Sequence, residues 1–322
     1  MTNQKRKVLI TDAVHPVLID GLIANGYEVD YEPEIGYDKV KNSIAKYNGL
    51  IINSKILCDA SFIDHGTQLK FIARLGSGRE VVDIHYAESK GICVYFSPEG
   101  NKNAVAEQAL GMLLVLANQI LLADQQVRAG IWEREARRGW ELSGKTIGII
   151  GFGHTGSQFA KKLAGMEMNI LVYDKYLHDL EKEVPYIKEV PLPFLLEHSD
   201  IISIHLPLGE DTFHLVDHSF LWSMKQEGIL INTSRGNVVH TEALIEALEA
   251  GRLAGACLDV FENEKPGTFT SQEKLMYQRL YQLPNVVLTP HIAGWTVQSK
   301  YKLAAILLEK IAQRDLEMSG KA

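Results

Sequence analysis

The chain has 322 residues, enough for two domains that each bury a proper core. Its composition, 46% hydrophobic and 23% charged, is that of an ordinary soluble protein, and no segment has the length and apolarity of a membrane span. The net charge of −7, with scattered basic residues, argues against nucleic acid or an anionic membrane as partner.

In chain order, the N-terminus carries no apolar leader core. Residues 7–11 then read as a buried strand, and 15–25 as a helix that Gly26 stops. Residues 27–31 alternate as a second strand, and apolar runs follow at 49–53, 69–74 and 93–96, separated by helix-length segments. Strands alternating with helices predict a parallel sheet covered on both faces, the doubly wound α/β class. Gly76-Ser77-Gly78 follows one of these strands but lacks the longer G-x-G-x-x-G spacing, which points to the substrate side.

Ser97-Pro98-Glu99-Gly100-Asn101 reads as a turn-rich linker. The longest helical pattern, residues 103–130, comes next. Its centre, from Ala109 to Leu122, is apolar almost all round and so must be covered on more than one side. That predicts an interdomain core together with a subunit interface, hence a homodimer. Residues 131–142 read as a solvated crossing anchored by Trp132 and Trp140. Cys58, Cys93 and Cys257 show no metal-ligand spacing and are too few for a disulfide framework. We expect thiols in a reducing cytoplasm and no bound metal.

Residues 145–174 organise the rest. The run from Ile147 to Ile150 suits a buried parallel strand and feeds Gly151-Phe-Gly153-His-Thr-Gly156, which opens a helix. A second apolar run, 170–173, ends in Asp174. In a dinucleotide site, the first glycine makes the tight turn, the second admits the pyrophosphate and the third lets helix pack on strand. The helix N-terminus offers N–H donors and a positive dipole end to the phosphates. Asp174 lies 18 residues past Gly156, where a carboxylate accepts the ribose hydroxyls and opposes a 2′-phosphate, favouring NAD over NADP, although Lys175 is adjacent.

Further strands are expected at 201–205, 229–232, 254–259 and 286–289, and residues 267–284 look like a surface excursion. Ligands of open α/β sheets bind at the carboxyl ends of the strands. His205, Thr233-Ser234-Arg235, Asp259 and His291 collect there. Hydride transfer to a 2-keto acid needs a cation to hold the carboxylate and polarise the carbonyl, plus a general acid for the developing alkoxide. Arg235 suits the first task. His291, oriented by a carboxylate such as Glu264, suits the second. Taken singly, each has a plainer reading: a capping histidine, an ion-pair arginine, a loop acid.

Together these segments resemble the D-isomer-specific 2-hydroxyacid dehydrogenases, the family that includes D-3-phosphoglycerate dehydrogenase. The resemblance runs from the first strand to about Leu303 and rests on ordered motifs: residues 151–156, Asn232-Thr-Ser-Arg235-Gly236, Leu258-Asp-Val-Phe and Thr289-Pro-His291. It implies a flavodoxin-like substrate domain (1–98) and a Rossmann NAD-binding domain (99–292), with a C-terminal helix (293–322) returning to the first. The active site is then expected in the cleft between them. By the resemblance Arg235 binds and polarises the substrate, His291 is the acid/base and Glu264 its partner, a better fit to the family spacing than Glu262. His154 and Thr155 would contact the pyrophosphate, Asp174 the ribose, and Thr233 and Asp259 the nicotinamide side. Gly76, Ser77 and Gly78 would offer N–H groups to the substrate carboxylate, and Trp295 would help close the pocket. His85, His205, His214 and His240 are read as structural.

Some positions depart from the family pattern. Glu80-Val81 replaces a common Asp-Asn, Asn53 stands where phosphoglycerate enzymes usually place an arginine, and His240 stands where the arginine motif usually reaches an aspartate. With only Arg74 and Lys55 as nearby cations, a phosphorylated substrate is less expected than glyoxylate or hydroxypyruvate. The chain ends at Ala322, without the regulatory domains some phosphoglycerate enzymes append. Two other readings stay open, a dinucleotide-sensing corepressor on the same fold and an NAD enzyme of different chemistry such as formate oxidation.

Overall fold

The computed structural model describes residues 6–318. Their strands, in chain order, are β1 (Arg6–Ile10), β2 (Tyr27–Tyr31), β3 (Gly49–Ile52), β4 (Phe71–Arg74), β5 (Cys93–Phe96), β6 (Thr146–Ile150), β7 (Asn169–Tyr173), β8 (Lys188–Glu189), β9 (Ile201–Ile204), β10 (Gly228–Asn232), β11 (Leu253–Leu258) and β12 (Val286–Leu288). The helices are α1 (Pro16–Ala24), α2 (Tyr37–Ser43), α3 (Ala60–His65), α4 (Ile84–Ser89), α5 (Pro98–Ala117), α6 (Ile120–Arg128), α7 (His154–Leu163), α8 (Leu192–His198), α9 (His218–Ser223), α10 (Thr241–Glu249), α11 (Ser271–Gln282) and α12 (Val297–Met318). They form two compact units. One takes the described residues up to Asn101 and those from Trp295 onward; the other is Lys102–Gly294.

The first unit is a parallel sheet in the order β2-β1-β3-β4-β5, the flavodoxin-like arrangement. Its strands are apolar on both faces because helices cover both. Leu9, Leu50 and Ile52 face one core, while Val8, Ile10 and Ile51 face the other. The second core is closed by Ala304, Leu307 and Ile311 of α12, so the C-terminal helix belongs to this unit. Helix α12 lies close on α1, where a Cβ on Gly21 would meet Leu308 at 2.1 Å. The phenol of Tyr27 donates to Asp315 at 2.8 Å, and Lys310 reaches Glu99 at 3.0 Å.

The second unit is a seven-stranded parallel sheet in the order β12-β11-β10-β9-β6-β7-β8. That is a Rossmann sheet with one strand added at the β12 edge, and its order reverses between β6 and β9. Alternate residues again feed two cores: Ile147, Ile149, Ile201 and Ile231 on one side, Ile150, Ile202, Ile204 and Leu230 on the other.

Three local expectations fail, each for a physical reason. Residues 98–101 are no linker but the first turn of α5, since proline is well placed at the start of a helix. The single helix expected over 103–130 is two helices bent by 60°, broken where Gln119 takes a left-handed φ of 49°. The break is packed from outside by Gly139, whose added Cβ would meet the Ala117 carbonyl at 2.6 Å. Residues 267–284 are not a surface excursion either. They hold α11, started by a capping box between Thr270 and Glu273, and they bury Tyr277 and Leu280. Of the two expected tryptophan anchors, Trp140 packs on the core and Trp132 is 76% exposed.

Candidate active site

The strand ends at the switch point build the site. Strand β6 runs into Gly151, whose φ of +90° suits glycine, and a Cβ there would meet the His205 carbonyl at 2.5 Å. On Gly156 a Cβ would meet the Gly151 carbonyl at 2.0 Å, so α7 starts hard against the strand. Gly153 has nothing within 4 Å of such a Cβ. It is also the N-cap of α7 and makes no side-chain capping bond. The turn therefore presents open space beside the positive end of a ten-residue helix, flanked by the exposed His154 and the partly exposed Thr155.

Asp174 follows β7. One oxygen accepts from the Phe152 N–H at 2.7 Å; the other accepts from Tyr176 and Leu177 at 2.9 and 3.0 Å. These bonds fix the carboxylate beside the glycine turn, and three acceptor sites of roughly four are used. Lys175 is turned to Asp211 at 2.6 Å. Thr233 is 8% exposed, and its hydroxyl is buried without a hydrogen-bond partner, an orphan that a bound polar group would satisfy. The open glycine turn, the fixed acid and the orphan hydroxyl together fit a dinucleotide.

The second group of residues lies on the loops after β10, β11 and β12. Asn232 is fully buried and organises the arginine turn: its amide donates to the Arg235 carbonyl at 2.9 Å and its oxygen accepts from the Ser234 N–H at 3.0 Å. No residue type or spacing in the sequence signals this task of Asn232. Gly236 is a second residue whose task the motif alone does not reveal. A Cβ there would meet the Phe261 carbonyl at 1.9 Å, so the arginine and acid loops touch through backbone. That glycine follows the arginine directly, which was the available signal.

His291 sits in a left-handed conformation at φ +56°, unusual for a residue with a side chain and a local strain of order 1–3 kcal/mol. Asp259 holds the turn. It is fully buried, takes Thr289 Oγ1 at 2.5 Å and the N–H groups of Ile292 and Ala293 at 2.9 and 2.8 Å, and its carbonyl accepts from the His291 N–H at 2.7 Å. The structure thus commits Asp259 to shaping the histidine turn, a task that the expected nicotinamide contact did not foresee.

The imidazole Nδ1 lies 2.8 Å from one Glu264 oxygen and 3.0 Å from the other. An ionised Glu264 accepts the Nδ1 proton, which leaves Nε2 to exchange a proton with a ligand. Partial burial pushes the Glu264 carboxyl up. The hydrogen bond and charge of His291, the Phe261 N–H and the charge of Arg235 outweigh it and bring the group below its ordinary range. Glu264 therefore senses both the histidine and the arginine. Glu262 is engaged elsewhere, with Thr241 N–H at 2.6 Å and His214 Nε2 at 2.8 Å.

Among the remaining histidines, His205 is buried against Phe159, bonded to Ser203 Oγ at 2.9 Å, and burial pushes it down to about 4. His240 caps α10 through Nδ1. The substrate-side loop belongs to the first unit. There Gly76, at φ +144°, donates its N–H to Ser97 Oγ at 3.3 Å. The Gly76 N–H is thus engaged within the unit. Trp295, in the same unit, is 75% exposed. Among the described residues, no group of three or more His, Cys, Asp or Glu side chains is placed to hold a metal ion.

A Rossmann sheet with an open glycine turn, an acid after the second strand and a carboxylate-held histidine defines a dinucleotide-dependent oxidoreductase. Comparison with known proteins narrows this. A family model described as the D-isomer specific 2-hydroxyacid dehydrogenase NAD-binding domain matches residues 110–293. The D-3-phosphoglycerate dehydrogenase of Archaeoglobus fulgidus is 36% identical over 305 residues, covering 95% of this chain and 56% of that protein, so the chain spans about half of that relative. The hydroxypyruvate reductase of Thermotoga maritima is 36% identical over 291 residues, with 90% and 92% covered. The crystal structure of D-lactate dehydrogenase from Aquifex aeolicus, complexed with NAD and lactic acid, matches with a TM-score of 0.84 at 27% identity, covering 98% and 96%. The chain belongs to the D-isomer-specific 2-hydroxyacid dehydrogenases. It is an NAD-dependent oxidoreductase acting on CH–OH donors, with a 2-hydroxy or 2-keto acid as substrate.

Proposed function

We propose that the chain interconverts a small D-2-hydroxy acid and its 2-keto acid, with glyoxylate or hydroxypyruvate as the substrate reduced. The observation that carries this is the Glu264–His291 pair beside a strand-end arginine whose charge Glu264 feels. The α7 N-terminus, Asp174 and Thr233 would hold the nicotinamide cofactor at the glycine turn, where it would supply or accept a hydride at C2 of the substrate. Arg235 holds the substrate carboxylate and polarises the carbonyl. His291 gives its Nε2 proton to the developing alkoxide in reduction and takes it back in oxidation. Glu264 holds the ring by Nδ1.

A small substrate is favoured over a phosphorylated one by the bonds of the two cations near the expected phosphate position. Arg74 is 9% exposed with Nε on the Asn53 carbonyl at 3.2 Å, and Lys55 Nζ lies 2.5 Å from the Pro33 carbonyl. The phosphorylated alternative stays in the test because of the phosphoglycerate relative. Purified protein is assayed for NADH and NADPH oxidation with glyoxylate, hydroxypyruvate, pyruvate, 2-oxoglutarate and 3-phosphohydroxypyruvate, with His291→Gln as control. Turnover of a small acid that vanishes in the variant supports the reading. Preference for the phosphorylated acid replaces it, and undiminished turnover in the variant removes His291 from the mechanism.

The same reading includes a homodimer and a cytoplasmic location. Helix α6 buries none of its residues; Ile120, Leu121 and Val127, with Ile131 and Trp132 beyond it, are 43–76% exposed. A cavity of about 640 Å³ adjoins it, lined among others by Leu116, Leu122, Trp140 and Val286. Apolar surface of this extent is what a partner subunit covers. Leu121→Glu with Val127→Glu is expected to convert a dimer to a monomer in light scattering. A reducing compartment is supported by three free cysteines, of which Cys58 and Cys257 are buried, and burial pushes each thiol up to about 12.

A further inference from the structure

The acid loop after β11 has neither helix nor strand from Val260 to Lys265, yet it must hold Glu264 within hydrogen-bond reach of His291. Three devices fix it. The backbone at Phe261 and Glu262 rests on Gly236. Asn263 donates its Nδ2 to Glu273 at 2.9 Å, and its N–H goes to the Tyr277 hydroxyl at 3.0 Å. The third is Glu262, two residues before Glu264, with one oxygen on the N–H of Thr241 and the other 2.8 Å from His214 Nε2. Glu262 at the start of α10 is a sound helix cap in itself. What a cap does not require is the histidine.

His214 is built into the arginine side. Its N–H donates to the Asn237 carbonyl at 2.8 Å, and two residues on, Val216 exchanges hydrogen bonds with Val238 and His240, each at 3.0 Å. The segment paired with it begins two residues after Arg235. His214 itself sits at φ +50°, a conformation that residues with a side chain rarely adopt. Phe213 stacks on the ring at 4.0 Å and His240 meets its edge at 4.7 Å, which fixes it further. His214 and Glu262 are each about three-quarters buried, so this bond is screened less than a surface pair. One residue thus grips the arginine segment by its backbone and the acid loop by its ring.

We infer that the His214–Glu262 pair is a positioning clamp, which sets the placement of Arg235 relative to the Glu264–His291 couple. The inference rests on the proposed roles of those three residues. Neither clamp residue touches substrate; a displacement of about 1 Å in the couple can cost up to 100-fold in rate. The test is steady-state kinetics with the full chain, on whichever 2-keto acid the wild type turns over. His214→Ala and Glu262→Ala are expected to lower kcat roughly 10- to 100-fold while the NADH Kd, read by fluorescence, stays unchanged. His214→Gln, which can still donate to Glu262, restores most of the loss.

The deciding measurement is the double variant His214→Ala with Glu264→Gln. If the clamp acts through Glu264, the double variant is no slower than Glu264→Gln alone. Multiplying effects, or unchanged kcat in His214→Ala with only a lowered Tm, overturn the clamp and leave a helix cap. His291→Gln, run alongside, separates the two failures: full turnover there defeats the site assignment itself, whereas its loss with a normal His214→Ala defeats the clamp alone.

Discussion

The two units follow one recipe and put it to different uses. Each is a parallel sheet with apolar strands feeding two cores, and each collects polar groups at the carboxyl ends of its strands. In the first unit those groups largely satisfy one another. Thr11 Oγ1 donates to Asp12 at 2.7 Å, Asp12 accepts from the Asn53 N–H at 2.9 Å, Arg74 Nε donates to the Asn53 carbonyl, and Gly76 N–H goes to Ser97. In the second unit, buried polar residues hold partly exposed, chargeable ones. The buried Asn232 shapes the turn of Arg235 and the buried Asp259 that of His291, whose imidazole the exposed Glu264 holds. A parallel sheet covered on both faces can end in a closed polar network or in a poised acid–base pair. The loops decide which.

The largest test of that contrast is removal of the poised acid. His291→Gln is expected to lower kcat roughly 10²- to 10⁴-fold with NADH affinity unchanged, measured by turnover and by fluorescence titration. Loss of NADH binding instead would move the residue from the chemistry to the scaffold.

The glycine turn gives a sharper pair of outcomes. A Cβ on Gly156 meets the Gly151 carbonyl at 2.0 Å, so Gly156→Ala must shift backbone and is expected to lower Tm and weaken NADH binding together. Gly153 faces open space, so Gly153→Ala is expected to keep Tm within a degree or two, about 0.5 kcal/mol, yet to weaken NADH binding at least 10-fold. Equal Tm losses in the two would refute the reading of Gly153 as the phosphate approach.

Glu264→Gln comes next. Its carboxyl is held below the usual range against the opposing effect of burial, with His291 the first of the favourable causes. Removing the charge is expected to lower kcat at neutral pH about 10-fold, read by steady-state turnover. An unchanged kcat would show that the Glu264 charge takes no part in the chemistry.

The smallest effect concerns stability alone. Burial pushes His205 down to about 4 from 6.5, so between those values the unfolded chain binds the proton and the folded chain does not. Its contribution is therefore fully present above pH 6.5 and is lost as pH falls toward 4, on the order of 3 kcal/mol at most. Urea unfolding of His205→Asn against wild type at pH 5 and pH 8 reads this. The variant is expected to lose less stability than wild type on going from pH 8 to pH 5.

The glycine fingerprint, the acid after the second strand and the ordered arginine, acid and histidine motifs were legible because each depends on local spacing or residue type. Apolar strands between helix-length segments announce a doubly wound fold, since every strand must bury both faces. The sequence alone thus determined the class of fold, the cofactor and the class of chemistry. What it misjudged depended on neighbours distant in the chain. Gly139 packs on the α5–α6 break, and Tyr277 and Leu280 give α11 a buried face within an apparent excursion. Asp259, His214 and Glu262 carry ordinary residue types, and no spacing rule distinguishes a loop acid that faces a histidine turn from one that faces solvent. Only the tertiary structure sets which groups share hydrogen-bond distance. Those bonds join segments tens of residues apart, so a local pattern encodes the elements but not their meeting.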